Sequence, residues 1–257
     1  EYLSITRIYA DPVLITYDDT ILKNITAKYI LNKNKIYDFK TSNNTQHQIW
    51  HIKENEDISE TIKKFEKIEN LYIADGHHRM ASSLRNTKHN MCLAYILPKK
   101  ELHNYPFHRI VSINKKTKNI IAKIKQNFTV KDIPFPLNKT EDLQFYINNK
   151  WNREILKNNL NNNIVENLLV SKLLKNILEP FCNIKDERKN KNVSFMPGNQ
   201  SIKDQIAKTK SGEILFLMNK INIETIIEIA DNNYTMPPKS TFILPKIPSG
   251  LIMMELK

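Results

Sequence analysis

The stretch Ile73-Ala-Asp-Gly-His-His-Arg-Met-Ala-Ser82 joins two different sequence patterns. An apolar run from Leu71 to Ala74 ends at Asp75-Gly76, and apolar residues then return at helical spacing, beginning at Met80. This pattern predicts a strand, a tight turn and the first turn of a helix. A helix N-terminus offers free N–H groups to an anion, and glycine lets the backbone come close to a ligand. The stretch therefore predicts a phosphate-handling site.

Five polar or special residues, from Asp75 to Arg79, crowd this predicted turn. The Asp75 carboxylate has three open roles: it could cap the helix, hold Mg²⁺ or accept a proton. His77, His78 and Arg79 carry donors suited to phosphate oxygens, and arginine can bind them bidentately. The plainer alternative is a capping aspartate beside solvated histidines and arginine. Because adjacent histidines point to different faces of a helix, a two-histidine metal site is disfavoured.

A second candidate is the segment Asn233-Tyr-Thr-Met-Pro-Pro-Lys-Ser-Thr241, which continues to Pro245-Lys246. Two adjacent prolines restrict the backbone, and Lys239, Ser240 and Thr241 then supply an ammonium and two hydroxyls. A rigid loop with these groups suits anion binding. A structural turn without a ligand is an equally good interpretation of the prolines.

Other signals are weaker. Arg109, in Phe107-His-Arg-Ile110, could clamp a carboxylate or phosphate, or could form a surface salt bridge. Trp50, in the alternating stretch His47 to His51, fits a core position better than a stacking platform. The glycine-rich phosphate-binding loops, zinc-ligand spacings and the nucleophile-elbow sequence do not occur.

Composition bounds the class of protein. A chain of 257 residues with 40% hydrophobic and 26% charged residues is typical of a globular protein, and its apolar runs are too short to cross a membrane. Cys92 and Cys182 lie far apart in apolar surroundings, which favours buried thiols in a cytoplasmic protein over a disulfide.

The formal charge of +12 suggests a nucleic-acid partner, but lysine, asparagine and isoleucine are all abundant and arginine is scarce. An AT-rich coding bias explains that pattern better than a dedicated basic surface.

Strand and helix patterns alternate along the chain, which predicts an α+β (mixed α/β) fold with helices packed on a sheet. Strands are expected near 12–17, 35–40, 48–52, 71–74, 92–97, 213–218 and 251–256, and helices near 20–32, 58–68, 77–86, 114–126, 164–178, 202–208 and 223–231. The Asn- and Pro-rich residues 131–163 predict insertions or a domain junction. We expect three segments: a core segment 1–112, a mainly helical segment 113–192, and a C-terminal segment 193–257 packed on the core.

With Tyr72-Ile-Ala-Asp-Gly-His-His-Arg79 and Thr235-Met-Pro-Pro-Lys-Ser-Thr241 in view, the sequence resembles the family catalogued as domain of unknown function 1015, which is related to the free-serine kinases. Further segments agree in order, among them Pro12 to Tyr17, Phe107 to Ile110, Leu178-Glu-Pro180 with Ile184-Lys-Asp186, and Pro245 to Gly250. The resemblance runs from about Glu1 to Lys257.

The resemblance implies a sheet-and-helix core like that of ParB and sulfiredoxin. It also implies a kinase that moves a phosphate from ATP or ADP, with Mg²⁺, to the hydroxyl of free L-serine and gives O-phosphoserine. Carried over by position, the resemblance implies that Asp75, His78 and Arg79 are catalytic and that Asp75 is the metal ligand. Arg109 would hold the serine carboxylate. The nucleotide contacts, which lie in the same cleft, would be Gly76, His77, Lys239, Ser240 and Thr241.

One departure from the family bears on catalysis. Relatives carry an N-terminal part with a His-Glu motif whose glutamate is the best candidate for the general base, and we expect its counterpart to precede Glu1. The alternative function is therefore a non-catalytic, ParB-like protein that binds nucleotide or nucleic acid, or a truncated, inactive homologue. The intact Asp75–Arg79 and Lys239–Thr241 motifs favour the kinase, with nucleotide and a free amino acid as its partners and no membrane or nucleic acid.

Overall fold

A computed structural model describes residues 2–17, 23–32, 35–42, 44–85, 91–113, 117–137, 141–155 and 163–256. The chain divides into two compact units, residues 1–102 with 246–257, and residues 103–245. The three segments predicted from the sequence do not coincide with these units, because the strand at 103–112 groups with the residues that follow it. None of the described helices is long and apolar enough to span a membrane.

The first unit combines three small sheets with helices. Its elements are α1 (Tyr2–Thr6), β1 (Ile8–Tyr9), β2 (Val13–Tyr17), α2 (Lys23–Asn32), β3 (Tyr37–Lys40), β4 (Gln46–Ile49), α3 (Asn55–Phe65), β5 (Tyr72–Asp75), α4 (His77–Arg85), β6 (Ala94–Pro98), a 3₁₀ turn (Lys99–Glu101) and, at the end of the chain, β14 (Met254–Glu255). The strand β2 is buried along its whole length and lies between β5, which is antiparallel to it, and β6, which is parallel. Pairs β3–β4 and β1–β14 are antiparallel.

The second unit is built on one antiparallel sheet. Its elements are β7 (His103–Ser112), α5 (Thr117–Asn127), β8 (Thr129–Ile133), β9 (Leu143–Ile147), β10 (Lys150–Ile155), α6 (Ile164–Asn167), α7 (Leu169–Leu173), a π-helical turn (Leu174–Leu178), α8 (Glu179–Cys182), β11 (Val193–Pro197), α9 (Ile202–Lys208), β12 (Glu213–Leu217), α10 (Ile223–Asp231) and β13 (Thr241–Leu244). The strand order is β11-β7-β12-β9-β10-β8, and β13 pairs with the first half of β7.

Both faces of this sheet are covered. Ile214 and Phe216 pack with α5 and the helical stretch 164–182, whereas Leu215 and Leu217 pack with α9 on the opposite face. A strand that is buried on both faces must be apolar at every position, which explains the continuous run from Ile214 to Met218.

The predicted α+β class is confirmed, and most predicted elements occur within a few residues of their expected positions. The expectation of a domain junction at 131–163 is wrong where the structure describes it, because these residues lie within the second unit. There β9 and β10 form an antiparallel hairpin, and β8 pairs with the other edge of β10. Residues 156–162 lie outside the described part.

The two cysteines, Cys92 and Cys182, are both free and partly buried. Burial raises the pKa of each thiol, to about 11 for Cys182. Trp50 is partly buried directly after β4.

Candidate functional site

The predicted strand, turn and helix at Asp75 are confirmed. The strand β5 ends at Asp75, Gly76 has a φ of +94°, and α4 begins at His77. A Cβ atom built on Gly76 would lie 2.8 Å from Nη2 and 2.9 Å from Nε of Arg79. The Arg79 guanidinium therefore lies against the backbone of the turn, in space that only glycine leaves open. Position 76 requires glycine for its backbone angle and for the placement of Arg79.

Two cations share the carboxylate of Asp75. Its Oδ2 accepts a hydrogen bond from Nζ of Lys246 at 3.2 Å and a longer one from Nη2 of Arg79 at 3.4 Å. The Asp75 side chain is 42% exposed, and both cations are exposed to a similar degree. Solvent weakens such pairs, so a stronger anion can displace the carboxylate from them. Lys246 lies 171 residues beyond Asp75, so no local sequence pattern places it in this site.

The first turn of α4 has the properties of an anion site. The opening N–H groups of a helix have no partner within it, and the helix dipole adds positive potential there. Gly76 has no side chain to cap them, and His77 and His78 are exposed beside them. Nε of Arg79 is buried without a hydrogen-bond partner among the described residues. The turn thus gathers several donors around one position, an arrangement that suits a phosphate group.

A buried hydroxyl pair fixes α4 in the first unit. The hydroxyl of Tyr9 donates to Oγ of Ser83 at 2.8 Å and lies 2.9 Å from the carbonyl oxygen of Met91. Oγ of Ser83 donates in turn to the carbonyl of Arg79 at 3.0 Å. The first turn of α4 is thereby tied to β1, the strand that carries Tyr9.

Arg109 has a different environment from the one predicted. It is fully buried in β7, and its Nε and Nη2 donate to the two carboxylate oxygens of Glu187, each at 3.1 Å. Its remaining donors reach the carbonyls of Phe107, Lys239 and Pro238 at 2.6, 3.1 and 3.3 Å. The alternative of a surface salt bridge is wrong, because this ion pair is buried. All five guanidinium N–H groups have acceptors within the protein, which leaves none for a serine carboxylate.

The Lys239–Thr241 motif lies in the second unit, whereas the Asp75 turn lies in the first. Lys239 is exposed and has a left-handed φ of +56°, and its Nζ lies 5.1 Å from the centre of the Phe107 ring. Ser240 is buried and its hydroxyl donates to the carbonyl of Pro237 at 2.6 Å. Thr241 begins β13, opposite Pro106 of β7. Of these three residues, Lys239 is exposed, Thr241 is partly buried and Ser240 is buried.

His108 follows the same strand but faces the protein interior. Its Nδ1 accepts a hydrogen bond from the backbone N–H of Met218 at 3.0 Å, so the neutral ring carries its proton on Nε2. Burial, together with the neighbouring Arg109 charge, lowers the pKa of His108 to about 4. His108 is therefore a neutral structural residue near pH 7.

The fit to a divalent metal rests on Asp75. Within the described ranges, no three His, Cys, Asp or Glu side chains gather as a ligand set. Magnesium in nucleotide sites commonly takes one or two carboxylates and completes its shell with phosphate oxygens and water. The single, half-exposed carboxylate of Asp75 fits that partial set.

Fold and site together define an α+β protein of two units whose first unit presents a glycine-led helix N-terminus with two converging cations. The family model described as "Protein of unknown function (DUF1015)" matches residues 1–175. The chain belongs to this family, as the motif around Asp75 predicted; the Lys239 motif lies outside the matched residues. No protein of curated function matches the sequence.

Solved structures share this fold. A mutant free serine kinase in complex with ADP is 13% identical, with a TM-score of 0.52, and the match covers 100% of this chain and 82% of that chain. The free serine kinase in complex with AMP is also 13% identical, with a TM-score of 0.50 and coverage of 100% and 81%. A conserved hypothetical protein from Pyrococcus furiosus is 15% identical, with a TM-score of 0.50 and coverage of 100% and 84%. At these identities the likeness concerns the fold alone.

Proposed function

We propose that this chain is a phosphotransferase that moves a phosphoryl group from ATP or ADP to the hydroxyl of L-serine and yields O-phosphoserine. The observation that carries the proposal is the Asp75 turn, where Gly76, the N-terminus of α4, Arg79 and Lys246 converge. The fold likeness to a free serine kinase that was solved with ADP and with AMP supports the same choice of ligand.

The turn supplies what phosphoryl transfer needs, namely positioning and neutralisation of charge. The nucleotide phosphates bind at the N–H groups of α4, with His77 as a further donor, and Arg79 and Lys246 move from the Asp75 carboxylate to the phosphate oxygens. Asp75 would then be free to hold Mg²⁺, which would offset the negative charge of the phosphates. His78, which is exposed in the first turn of α4, is the proposed acceptor of the serine proton.

The reaction forms a bond between the serine oxygen and the terminal phosphorus and breaks the bond from that phosphorus to the bridging oxygen. ATP would leave as ADP, or ADP as AMP. Lys239, Ser240 and Thr241 belong to the second unit and are proposed as a separate anion-binding loop, of which Lys239 is the exposed member. We do not assign Arg109 to the serine carboxylate, because its guanidinium N–H groups already donate to acceptors within the protein.

The test is to incubate the chain with Mg²⁺, L-serine and ATP or ADP, and to measure O-phosphoserine by mass spectrometry. We expect product from the native chain and its loss, by at least 100-fold, in Asp75→Asn, Arg79→Ala and Lys246→Ala. The matched control is Lys64→Ala, which removes a lysine of the same unit that pairs with Glu60 on α3 and should leave turnover unchanged. Full turnover in Arg79→Ala would contradict the site assignment.

A second candidate is a nucleotide-binding protein without catalysis. The burial of Arg109 favours it, because the residue predicted to hold serine is engaged elsewhere. Calorimetry separates the two functions. If ADP binds in a manner that depends on Arg79 but neither ATP nor ADP gives O-phosphoserine, the chain is a nucleotide-binding protein without kinase activity.

A further inference from the structure

We propose that Asp75 makes anion binding at its turn conditional on a divalent cation. Without the cation, the Asp75 carboxylate pairs with Arg79 and Lys246 and opposes the binding of anions that carry no metal. With the cation, the carboxylate is neutralised and both basic side chains become available to phosphate. This inference rests on the proposed function and deepens it, and it uses contacts of the first unit alone.

Two like charges are held on one oxygen atom at this turn. Nζ of Lys246 lies 3.2 Å and Nη2 of Arg79 lies 3.4 Å from the same atom, Oδ2 of Asp75. The two cationic groups repel each other, and the N-terminus of α4 adds positive potential. An anion is therefore needed beside them, and Asp75 supplies it in the ligand-free chain. An incoming phosphate competes with Asp75 for the same two cations.

The pairing of Asp75 with Arg79 is incomplete, so the carboxylate can be displaced. A guanidinium binds a carboxylate most strongly through two parallel hydrogen bonds, as Arg109 does with Glu187. Between Arg79 and Asp75 there is one long contact, and Nε of Arg79 is buried without an acceptor among the described residues. An unpaired buried donor is unfavourable, and a phosphate oxygen would relieve it.

Both cations are anchored independently of Asp75. After Lys246, the N–H of Gly250 donates to the carbonyl of Ala10 at 3.0 Å, and β14 pairs with β1. Strand β1 also carries Tyr9, whose hydroxyl holds α4 through Ser83. The segment that carries Lys246 and the helix that carries Arg79 are thus tied to the same strand. Neither cation has to leave the turn when its contact with Asp75 breaks.

The consequence is coupling between metal and phosphate. An anion without metal that takes the two cations leaves the Asp75 carboxylate unpaired beside it, and the two negative charges repel. A divalent cation alone meets Arg79 and Lys246 at the carboxylate, which is also repulsive. When both ions bind, each removes the obstacle to the other, because the carboxylate would hold the metal and the basic side chains would hold the phosphates. Such reciprocal help is positive cooperativity.

The first test is calorimetry of ADP binding with and without Mg²⁺. In the native chain we expect Mg²⁺ to strengthen ADP binding by about tenfold or more. Asp75→Asn keeps the size of the side chain and removes its charge. We expect this variant to bind metal-free ADP about five- to tenfold more tightly than the native chain does, with no further gain from Mg²⁺.

The matched control is Glu60→Gln, which removes an exposed carboxylate from α3 of the same unit and should behave like the native chain. Equal binding of metal-free ADP by the native chain and by Asp75→Asn would overturn the inference. Should Asp75→Asn not fold, Asp75→Ser goes through the same measurements.

The second test uses inorganic pyrophosphate without metal, which isolates the phosphate site from the nucleoside. We expect Asp75→Asn to bind pyrophosphate about fivefold more tightly than the native chain does, and the added change Lys246→Ala to remove that gain. A gain that survives in the double variant would show that pyrophosphate does not use the released cations, and the inference would fail. It would fail equally if Asp75→Asn bound no pyrophosphate.

Formation of O-phosphoserine separates this inference from the proposed function. Asp75→Asn should bind ADP without metal and yet give no product, because its metal ligand is lost. A native chain that gives no product but binds ADP only with Mg²⁺ would refute the kinase and leave the inference standing. Product from a native chain that binds ADP equally with and without Mg²⁺ would refute the inference alone. If ADP does not bind at all, the pyrophosphate comparison still decides the inference.

Discussion

Gly76 combines a left-handed backbone angle with close contact to Arg79, and these two requirements can be separated. Gly76→Ala forces strain at φ of +94° and puts a methyl group where the guanidinium lies. Because the end of an arginine side chain can move away, we expect a loss of stability of about 1–2 kcal/mol from the backbone alone. The displaced Arg79 should weaken ADP binding by about tenfold or more, measured by calorimetry.

The control for this variant is Gly250→Ala, in the same unit. Gly250 has a φ of +76°, and a Cβ at this position would meet no described atom within 4 Å beyond its chain neighbours. The control should lose a similar amount of stability in urea unfolding and keep its ADP affinity. Equal affinities in the two variants would show that Arg79 does not depend on Gly76.

Glu154 predicts an unusual dependence of stability on pH. Its side chain is fully buried on β10 between Val130 and Leu143, and both of its carboxylate oxygens lack hydrogen-bond partners in the described structure. Burial, and secondarily the charge of Asp142, raises its pKa to about 7 from an ordinary 4.5. The pKa of Glu154 is higher in the folded chain than in the unfolded chain. Its contribution to the free energy of unfolding is therefore fully present below about pH 4.5 and is lost as the pH rises through about 7.

The variant Glu154→Gln removes this titration. Relative to the native chain, it should gain stability between pH 5 and pH 8 by about 2.5 kcal/mol, measured by urea unfolding at both pH values. Glu224→Gln, an exposed change on α10, should follow the native pH profile. A Glu154→Gln profile parallel to the native one would contradict a buried, protonated carboxyl group.

A site can be predicted residue by residue from the sequence only when its residues lie close together along the chain. Asp75, Gly76 and Arg79 were predictable because the strand, the turn and the helix lie within ten residues. Lys246 and Arg109 were not, since the partners that define their roles lie 171 and 78 to 130 residues away. Burial decides whether an arginine binds a ligand or the protein, and no local pattern encodes it.

Among the elements, α4 owes its position to the hydroxyl pair of Tyr9 and Ser83. Tyr9→Phe keeps the ring in the cluster with Leu3 and Leu256 but removes the hydrogen bond to Ser83 and the polar contact with the Met91 carbonyl. We expect a loss of about 1 kcal/mol in the free energy of unfolding and a two- to fivefold weaker ADP affinity, because the first turn of α4 loosens. Tyr37→Phe, on an exposed ring of β3, should change neither quantity. Unaltered affinity in Tyr9→Phe would show that this tie does not position the site.

Elements were predictable where side-chain burial follows a simple period. The strands β2 and β12 are continuous apolar runs, and helices such as α3 show spaced apolar residues. Strand β7 was missed because Pro106 lies within it, and proline is tolerated there because this half of the strand pairs with β13 alone. The strands β8, β9 and β10 were missed because asparagines and prolines in the segments between them dominate the local composition.

For the whole molecule, the division into units depends on contacts that the linear sequence does not display. The chain leaves the first unit at residue 102 and returns to it at residue 246, where β14 pairs with β1. Composition changes near 131–163 suggested a junction, but those residues that the structure describes lie inside the sheet of the second unit. Loop-rich composition marks turns, and turns occur within a sheet as well as between domains.

The charge of the whole molecule gives the last prediction. The formal charge of +12 comes from 39 basic and 27 acidic residues, and its lysines are spread along the chain. Spread charge gives a weak, sequence-independent attraction to phosphates that salt removes. We expect negligible binding of a generic DNA duplex at physiological salt in fluorescence anisotropy, while ADP binding persists because its donors converge at one turn. A tight DNA complex with a steep salt dependence would instead identify a nucleic-acid surface, and Lys246→Ala would show whether it includes the Asp75 turn.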